Sequence, residues 1–251
     1  MSFKNSGFKK EDDFVEALNG KRVSEINQNL KFTLTKIFGN LDENEIIKCE
    51  LIKGFIKPDF FITYKNVTKT ISLKTGRSVV VHEEYLATLL PFLKSIGLSE
   101  KSTDFFAKYC YGDDSINGTG VVEYSFLEMK MRYDKDIKAF NKEVMENKDL
   151  IKKAVKRFMF KGSKEENTEA DYIYFGTINY GVLCSQQQIF KHLDRRDWAF
   201  MENPHIGPLQ FKSHYREHSN DPYKEKRRHQ CDIWWANLGA DMDYISERYD
   251  G

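Results

Sequence analysis

Segment 57–76 contains an acid, a hydroxyl and an amine that could form one chemical site. Asp59 follows Pro58, and Ser72 and Lys74 lie near the end of the same segment. A carboxylate and an ammonium held together on a rigid scaffold can bind a divalent cation and orient a water molecule against a phosphodiester. These residue types therefore point to phosphate-ester hydrolysis, provided that the chain brings Asp59 and Lys74 together.

A β-hairpin would bring them together. Residues 59–64 and 69–74 are rich in aromatic and β-branched side chains and flank a short polar stretch. If the turn centres on Asn66-Val67, Asp59 pairs with Lys74. Side chains alternate across a strand, and directly opposed residues share a face. One face then carries Asp59, Phe61, Ser72 and Lys74, and the face expected in the core carries Phe60, Ile62, Ile71 and Leu73.

This arrangement resembles the PD-(D/E)xK nuclease superfamily, which has the restriction-endonuclease-like fold. In that superfamily an Asp after a Pro binds Mg²⁺, and a second acid and a Lys end the next strand; Pro58-Asp59 and Lys74 match by type and order. The resemblance implies an α/β fold with a mixed sheet flanked by helices. It also implies a Mg²⁺-dependent, restriction-type endonuclease that acts on double-stranded DNA. Ser72 departs from the pattern, because it stands where the second acid is expected.

Some restriction enzymes of the superfamily also have this Ser and supply the carboxylate from the following helix. Apolar residues at helical spacing predict such a helix over 81–93. Near its start, Glu83 and Glu84 are the candidate metal ligands beside Asp59; the periodicity favours Glu83 and the resemblance favours Glu84. Two other acids stay open. The superfamily can place a Glu on the first helix, for which Glu16 is the candidate, and Glu50 lies on the strand before the hairpin.

The rest of the chain alternates helical and extended patterns. Helical spacing over 12–38 is broken at Asn19-Gly20 and stops at Gly39-Asn40, which predicts two helices. A second helical region spans 133–160. A short helix over 185–193 is capped by Ser185 with Gln188 three residues on. Strands are expected at 45–53 and 170–175.

Composition indicates a soluble globular protein with a sizeable core. Of 251 residues, 40% are apolar and 31% are charged. The absence of an apolar run approaching about 18 residues, and of a signal-peptide pattern after Met1, predicts neither a membrane span nor secretion. The four cysteines are far apart in sequence and are expected as reduced thiols of a cytoplasmic protein: Cys49, Cys110, Cys184 and Cys231.

Contact with nucleic acid must come from local basic patches, because the formal net charge is only +1. Lys148, Lys152 and Lys156 stack along one helical ridge that could follow a phosphate backbone, although a solvated helix face explains them equally well. Two alternating strands over 209–216 and 228–235 predict a β-ribbon, which fits the major groove. The candidate DNA-binding residues are Lys152, Lys156, Lys212, Arg216, Arg227, Arg228 and Gln230.

The sequence therefore predicts a nuclease-like core over 1–160 and a nucleic-acid-binding lobe containing the ribbon over 161–251, unless the whole chain is one domain. Symmetric recognition would favour a homodimer. Two other functions stay open. A protein that binds nucleic acid without cleaving it would explain Ser72, and a protein-interaction module would suit the near-zero charge.

Zinc is a further alternative of lower rank. His214, His218, His229 and Cys231 have ligand types that suit zinc. On alternating strands, however, His229 and Cys231 point away from His214.

Overall fold

The computed structural model describes residues 6–54, 56–76, 79–121, 123–164, 168–196, 198, 202–213 and 227–249. Over these residues the chain is a mixed α/β protein with two sheets, which confirms the predicted class. It divides into two compact units. Unit 1 comprises Met1–Val79, Met159–His192 and Asn237–Gly251, and unit 2 comprises Val80–Phe158 and Leu193–Ala236.

These units differ from the expected division into 1–160 and 161–251. The chain passes from one unit to the other at four points, and only the point between Phe158 and Met159 lies beside the expected boundary. Residues of the expected C-terminal lobe are consequently shared between the two units.

Unit 1 contains a five-stranded mixed sheet. Its strands, in spatial order, are β1 (Lys48–Leu51), β2 (Phe60–Tyr64), β3 (Val67–Lys74), β5 (Tyr172–Thr177) and β6 (Tyr180–Ser185). The β3–β5 pair is parallel and the other pairs are antiparallel. Parallel neighbours need a long connection. Here that connection contains Val80–Phe158 of unit 2.

Helices accompany this sheet. They are α1 (Ser6–Leu18), α2 (Gln28–Phe38), α8 (Gln186–Arg195), which begins in unit 1, and α9 (Leu238–Tyr249), with a 3₁₀ turn at Val23–Glu25. The breaks predicted at Gly20 and Gly39 are confirmed, since both glycines have the positive φ that ends a helix readily. The predicted cap of α8 is also confirmed: Ser185 and Gln188 exchange backbone-to-side-chain hydrogen bonds.

The hairpin forms as predicted, but with a shifted register. Tyr64 lies opposite Val67 and Phe60 opposite Ile71, so the turn is Lys65-Asn66, with Lys65 at a φ of 52°. Extended by one pair, this register sets Asp59 opposite Ser72 rather than Lys74. A shift of two residues leaves every side chain on its predicted face. The core face is buried as expected, with Phe60, Ile62, Ile71 and Leu73 at most 8% exposed.

Unit 2 contains a four-stranded sheet. Its strands, in spatial order, are β4 (Val79–Tyr85), β9 (Gln230–Trp235), β8 (Leu209–Ser213) and β7 (His205–Ile206). The predicted β8–β9 ribbon is therefore present and antiparallel, but it lies inside a sheet with a neighbour on each side. The helices are α3 (Leu86–Ser95), α4 (Glu100–Tyr111), α5 (Phe126–Arg132), α6 (Asp134–Met145) and α7 (Lys148–Val155). A π-helix over Lys156–Lys161 follows α7.

The helix predicted over 81–93 is wrong in its first part. Val79–Tyr85 is a strand, hydrogen-bonded beside β9, and the helix begins only at Leu86. The β-branched run Val79-Val80-Val81 favours an extended backbone. Tyr85 at the N-cap of α3 is still extended. The apolar stripe predicted the helix but not its first residue.

Two further sequence expectations concern thiols and membranes. All four cysteines are described and buried, and none of them forms a disulfide. None of the helices in the described ranges is long and apolar enough to cross a membrane.

The buried face of the hairpin should carry much of the stability of unit 1. Ile71 is 1% exposed, so Ile71→Ala removes buried methylene and methyl groups and should lower the free energy of unfolding by about 3 kcal/mol. Val67, on the same strand, is 50% exposed, and Val67→Ala should change it by less than about 1 kcal/mol. Urea denaturation of both variants checks this. Equal losses would contradict the observed burial of Ile71 and exposure of Val67.

Candidate catalytic site

Three of the residues selected from the sequence meet at the end of the hairpin. Asp59 Oδ2 accepts hydrogen bonds from the Leu73 backbone N–H at 2.5 Å and from the Ser72 hydroxyl at 3.1 Å. Lys74 Nζ donates to Ser72 Oγ at 2.8 Å and to the Leu73 carbonyl oxygen at 3.0 Å. The Lys74 amine lies 3.9 Å from Asp59 Oδ2. Ser72 thus links the acid to the amine.

Asp59, Ser72 and Lys74 are largely, but not completely, buried. Ser72 is fully buried, whereas the side chains of Asp59 and Lys74 keep 21% and 13% of their surface exposed. Charges in such a setting interact more strongly than they would in water. The site can therefore hold a fixed pattern of charge and still be reached by a small polar group.

A second carboxylate joins the site from α1. Phe14 of that helix is buried and stacks on Phe60, the residue after Asp59, with ring centroids 5.5 Å apart. Glu11 lies one turn before Phe14 on the same side of the helix. Burial and the negative charge of Asp59 raise the pKa of Glu11 to about 7, and the positive charge of Lys74 opposes them. The Glu11 carboxylate therefore interacts electrostatically with both Asp59 and Lys74.

Glu11 is not among the residues expected from the sequence, although a signal for it is present. At about 100° per residue, Glu11 projects about 60° from Phe14, within the buried stripe of α1. Glu16 projects about 160° from Phe14 and is exposed. Glu16, the acid expected on the first helix, therefore points away from the stripe that faces the sheet, whereas Glu11 lies on it.

Glu50 shares the sheet face of the site without joining the group around Asp59. It lies opposite Phe61 in the β1–β2 pairing, on the Asp59 side of the sheet. Its carboxylate forms an ion pair of 2.9 Å with Lys48, and both side chains are about half exposed. Glu50 therefore has a solvated partner of its own.

Glu83 and Glu84 lie on β4, so the expectation that they lie on a helix is wrong, and their role as metal ligands beside Asp59 stays a prediction. Glu84 is 4% exposed, and both its oxygens accept hydrogen bonds from Arg157. The ring nitrogen Nε2 of His82 lies 3.3 Å from the same carboxylate. Burial raises the pKa of Glu84, but the hydrogen bonds from His82 and Arg157 outweigh it, so the pKa is lowered overall. Glu83 is exposed.

The lysine ridge on α7 has acidic and carbonyl partners. Lys152 forms an ion pair of 2.7 Å with Asp194, and Lys148 donates to the Asp194 carbonyl oxygen. Lys156 begins the π-helix, where the spacing of side chains changes. Lys148 and Lys152 therefore have partners within the protein, and both interpretations of the ridge, a contact with a phosphate backbone and a solvated helix face, stay open.

Two basic residues of the ribbon, Arg228 and Lys212, also contact other residues of unit 2. Arg228 donates to Asp113 at 2.7 Å and to the Gly120 carbonyl oxygen at 3.3 Å. Lys212 lies opposite Asp232 and over the Trp234 ring, 4.0 Å from its centroid. Arg227 and Gln230 are intermediate in exposure, and Arg216 lies outside the described residues. Arg228 and Lys212 therefore stabilise unit 2, and their proposed contacts with DNA stay predictions.

The zinc alternative finds no support among the described residues. His214 and His218 lie outside them. Nδ1 of His229 lies 3.1 Å from the Tyr111 hydroxyl, and Cys231 is fully buried. In the described part of the chain, no group of three or more His, Cys, Asp or Glu side chains is arranged to hold a metal.

The donor set at Asp59 still suits Mg²⁺ in one respect. Mg²⁺ is usually held by one or two carboxylates together with substrate phosphate and water, not by a complete protein cage. Glu11 and Asp59 supply two carboxylates, and their mutual repulsion is the kind that a divalent cation relieves. The residues present therefore fit this cation.

Comparison of the chain with protein-family models, with curated proteins and with solved structures finds no match. Functional inference therefore depends on the geometry of the site.

The role of Glu84 can be tested by stability. Glu84→Gln removes the charge that balances partly buried Arg157, so it should lower the free energy of unfolding by roughly 3 kcal/mol at pH 7. The folded-state pKa of Glu84 lies below its ordinary 4.5, so the contribution is present above pH 4.5. It should disappear as the pH falls through the lower folded-state value. Urea denaturation between pH 3 and pH 7 measures this.

Exposed Glu83 provides the matched control, and Glu83→Gln should change stability by less than about 0.5 kcal/mol. A stable Glu84→Gln variant that loses metal affinity would instead restore Glu84 as a metal ligand.

Proposed function

We propose that this protein is a Mg²⁺-dependent endonuclease that hydrolyses phosphodiester bonds of double-stranded DNA. The observation that carries the proposal is that Asp59 and Lys74 meet through Ser72 at one end of the β2–β3 hairpin, where their charges also act on Glu11 of α1. The proposed set differs from the one expected at first, because Glu11 replaces Glu83 and Glu84 as the second acid.

The fold agrees with this proposal at a coarse level. A mixed sheet carries the hairpin, and α1 and α9 pack against its strands. This is the arrangement expected of a restriction-endonuclease-like core, which we assign to unit 1 as part of the proposal. The resemblance at Pro58-Asp59 and Lys74 supports the same assignment.

Each side chain would have a distinct task. Asp59 and Glu11 would hold the cation, which supplies charge stabilisation and an activated water when it is bound. Lys74 would stabilise negative charge that develops on the phosphate, because its amine is held in place by Ser72 and the Leu73 carbonyl. Ser72 would fix the distance between acid and amine by hydrogen-bonding to both.

The proposal also includes a surface that binds DNA. All seven residues selected from the sequence remain candidates: Lys152, Lys156, Lys212, Arg216, Arg227, Arg228 and Gln230. Lys152, Lys212 and Arg228 would exchange the partners described above for DNA. We also propose a homodimer, since a symmetric enzyme matches a symmetric duplex site.

A protein that binds DNA without cutting it is the second candidate. The observation that favours it is Ser72, which stands where the superfamily has its second acid. Salt-dependent retention of duplex DNA without cleavage, at every Mg²⁺ concentration, would favour this function.

The central prediction concerns cleavage. Purified protein should convert supercoiled plasmid to nicked or linear DNA with Mg²⁺ but not with EDTA. Lys74→Met should slow cleavage by about 10²-fold or more, because charge on the transition state loses its fixed partner. DNA affinity, measured by mobility shift in Ca²⁺, should stay within a few-fold of wild type. Similar losses of cleavage and DNA affinity would make Lys74 an anchoring residue.

Contaminating nuclease is excluded by two further variants purified in parallel. Asp59→Asn should be inactive, and exposed Lys21→Met should cleave at the wild-type rate. Full activity of Asp59→Asn would refute the proposed site.

The second acid can be tested without catalysis. Glu11→Gln should weaken Mn²⁺ binding, followed by electron paramagnetic resonance, by at least about tenfold, because one of two anionic ligands becomes neutral. Glu16→Gln, a change of the same kind on the exposed side of α1, should have no effect. If Glu16→Gln weakens Mn²⁺ binding and Glu11→Gln does not, the assignment of the acid is reversed.

A further inference from the structure

A side-chain hydrogen bond joins α1, which carries Glu11, to the end of β3, which carries Lys74. Lys10 Nζ donates to Thr75 Oγ1 at 2.9 Å, in a partly buried position. Lys10 directly precedes Glu11, and Thr75 directly follows Lys74. The bond therefore connects α1 beside Glu11 to the chain beside Lys74.

Other contacts explain why this bond matters. Apolar packing fixes α1 from Phe14 onward, since Phe14 and Leu18 are 3% and 1% exposed and Phe14 contacts Phe60 and Tyr174. Glu11 lies before that packed region. The start of a helix frays readily, because its first turns lack part of their backbone bonding. The Lys10–Thr75 hydrogen bond attaches the turn of α1 that contains Lys10 and Glu11 to the end of β3.

We propose that Lys10 is a positioning residue: by clamping the first turns of α1 to Thr75, it holds the Glu11 carboxylate beside Asp59 and Lys74. Lys10 touches neither substrate nor cation in this role. The inference rests on the proposed function, because it concerns the same site. It adds the residue pair on which the second acid depends.

The clamp and simple electrostatics predict opposite results for Lys10→Met. Loss of a nearby positive charge would by itself strengthen the binding of a cation. Loss of the clamp releases Glu11 and should weaken Mn²⁺ binding by roughly two- to tenfold, the range that corresponds to one hydrogen bond. Thr75→Val removes the acceptor without any change of charge. It should weaken Mn²⁺ binding by a similar factor.

Electron paramagnetic resonance titration of the full chain with Mn²⁺ tests the clamp. Lys10→Arg, which keeps a long cationic donor, should restore most of the affinity, and Lys21→Met on the exposed surface should leave it unchanged. In a Glu11→Gln background, Lys10→Met should have no further effect. A purely structural role would instead give the same loss with or without the Glu11 carboxylate. Thermal unfolding confirms that each variant is folded.

The outcomes separate this inference from the proposed function. If wild-type Mn²⁺ binding is absent, or is unaffected by Asp59→Asn, both fail. If Mn²⁺ binding depends on Asp59 and Glu11 but is unchanged or stronger in Lys10→Met and Thr75→Val, only the clamp is overturned.

Discussion

The candidate site depends on the attachment of the Asp59 carboxylate to the neighbouring strand. Hydrogen bonds from the Leu73 N–H and the Ser72 hydroxyl fix Asp59 Oδ2, and Ser72 in turn holds Lys74. The pleat of the hairpin makes this geometry possible. A one-residue slip would send Asp59 to the core face and Phe60 to the surface. Burial of Phe60, Ile62 and Ile71 therefore enforces the position of the polar groups behind them.

The same pleat explains why the sequence was sufficient for the faces of the hairpin but not for its register. Alternation assigns each residue to a face, and a shift of two residues does not change that assignment. The register depends on the turn, where Lys65 has a positive φ. The residue types in 65–68 do not predict this backbone conformation at Lys65. Pairing of Asp59 with Ser72 instead of Lys74 consequently became visible only in the structure.

The second acid shows a different limit. A helical stripe indicates which residues share a helix face, but an adjacent strand can contain the first residues of the same apolar run. Val79–Tyr85 is such a strand, and the pairing that forms it involves Gln230–Trp235, far away in sequence. Glu11 was accessible to the periodicity argument, since it belongs to the stripe of Phe14 and Leu18. Its relation to Asp59, however, follows from the packing of Phe14 on Phe60, which is a tertiary contact.

Charge is distributed differently at the candidate site and among the basic residues of unit 2. Lys152 and Arg228, selected as cations for DNA, already have acidic partners within unit 2, in keeping with a net charge of +1. At the candidate site the balance is negative whenever Glu11 is ionised, because Glu11 and Asp59 then outweigh Lys74 by one charge, and a pKa of about 7 leaves Glu11 about half ionised at neutral pH. Such a site repels a phosphodiester. Under the proposed function, Glu11 and Asp59 must therefore be neutralised before or during DNA binding, and the affinities for cation and for DNA should strengthen each other by the same factor.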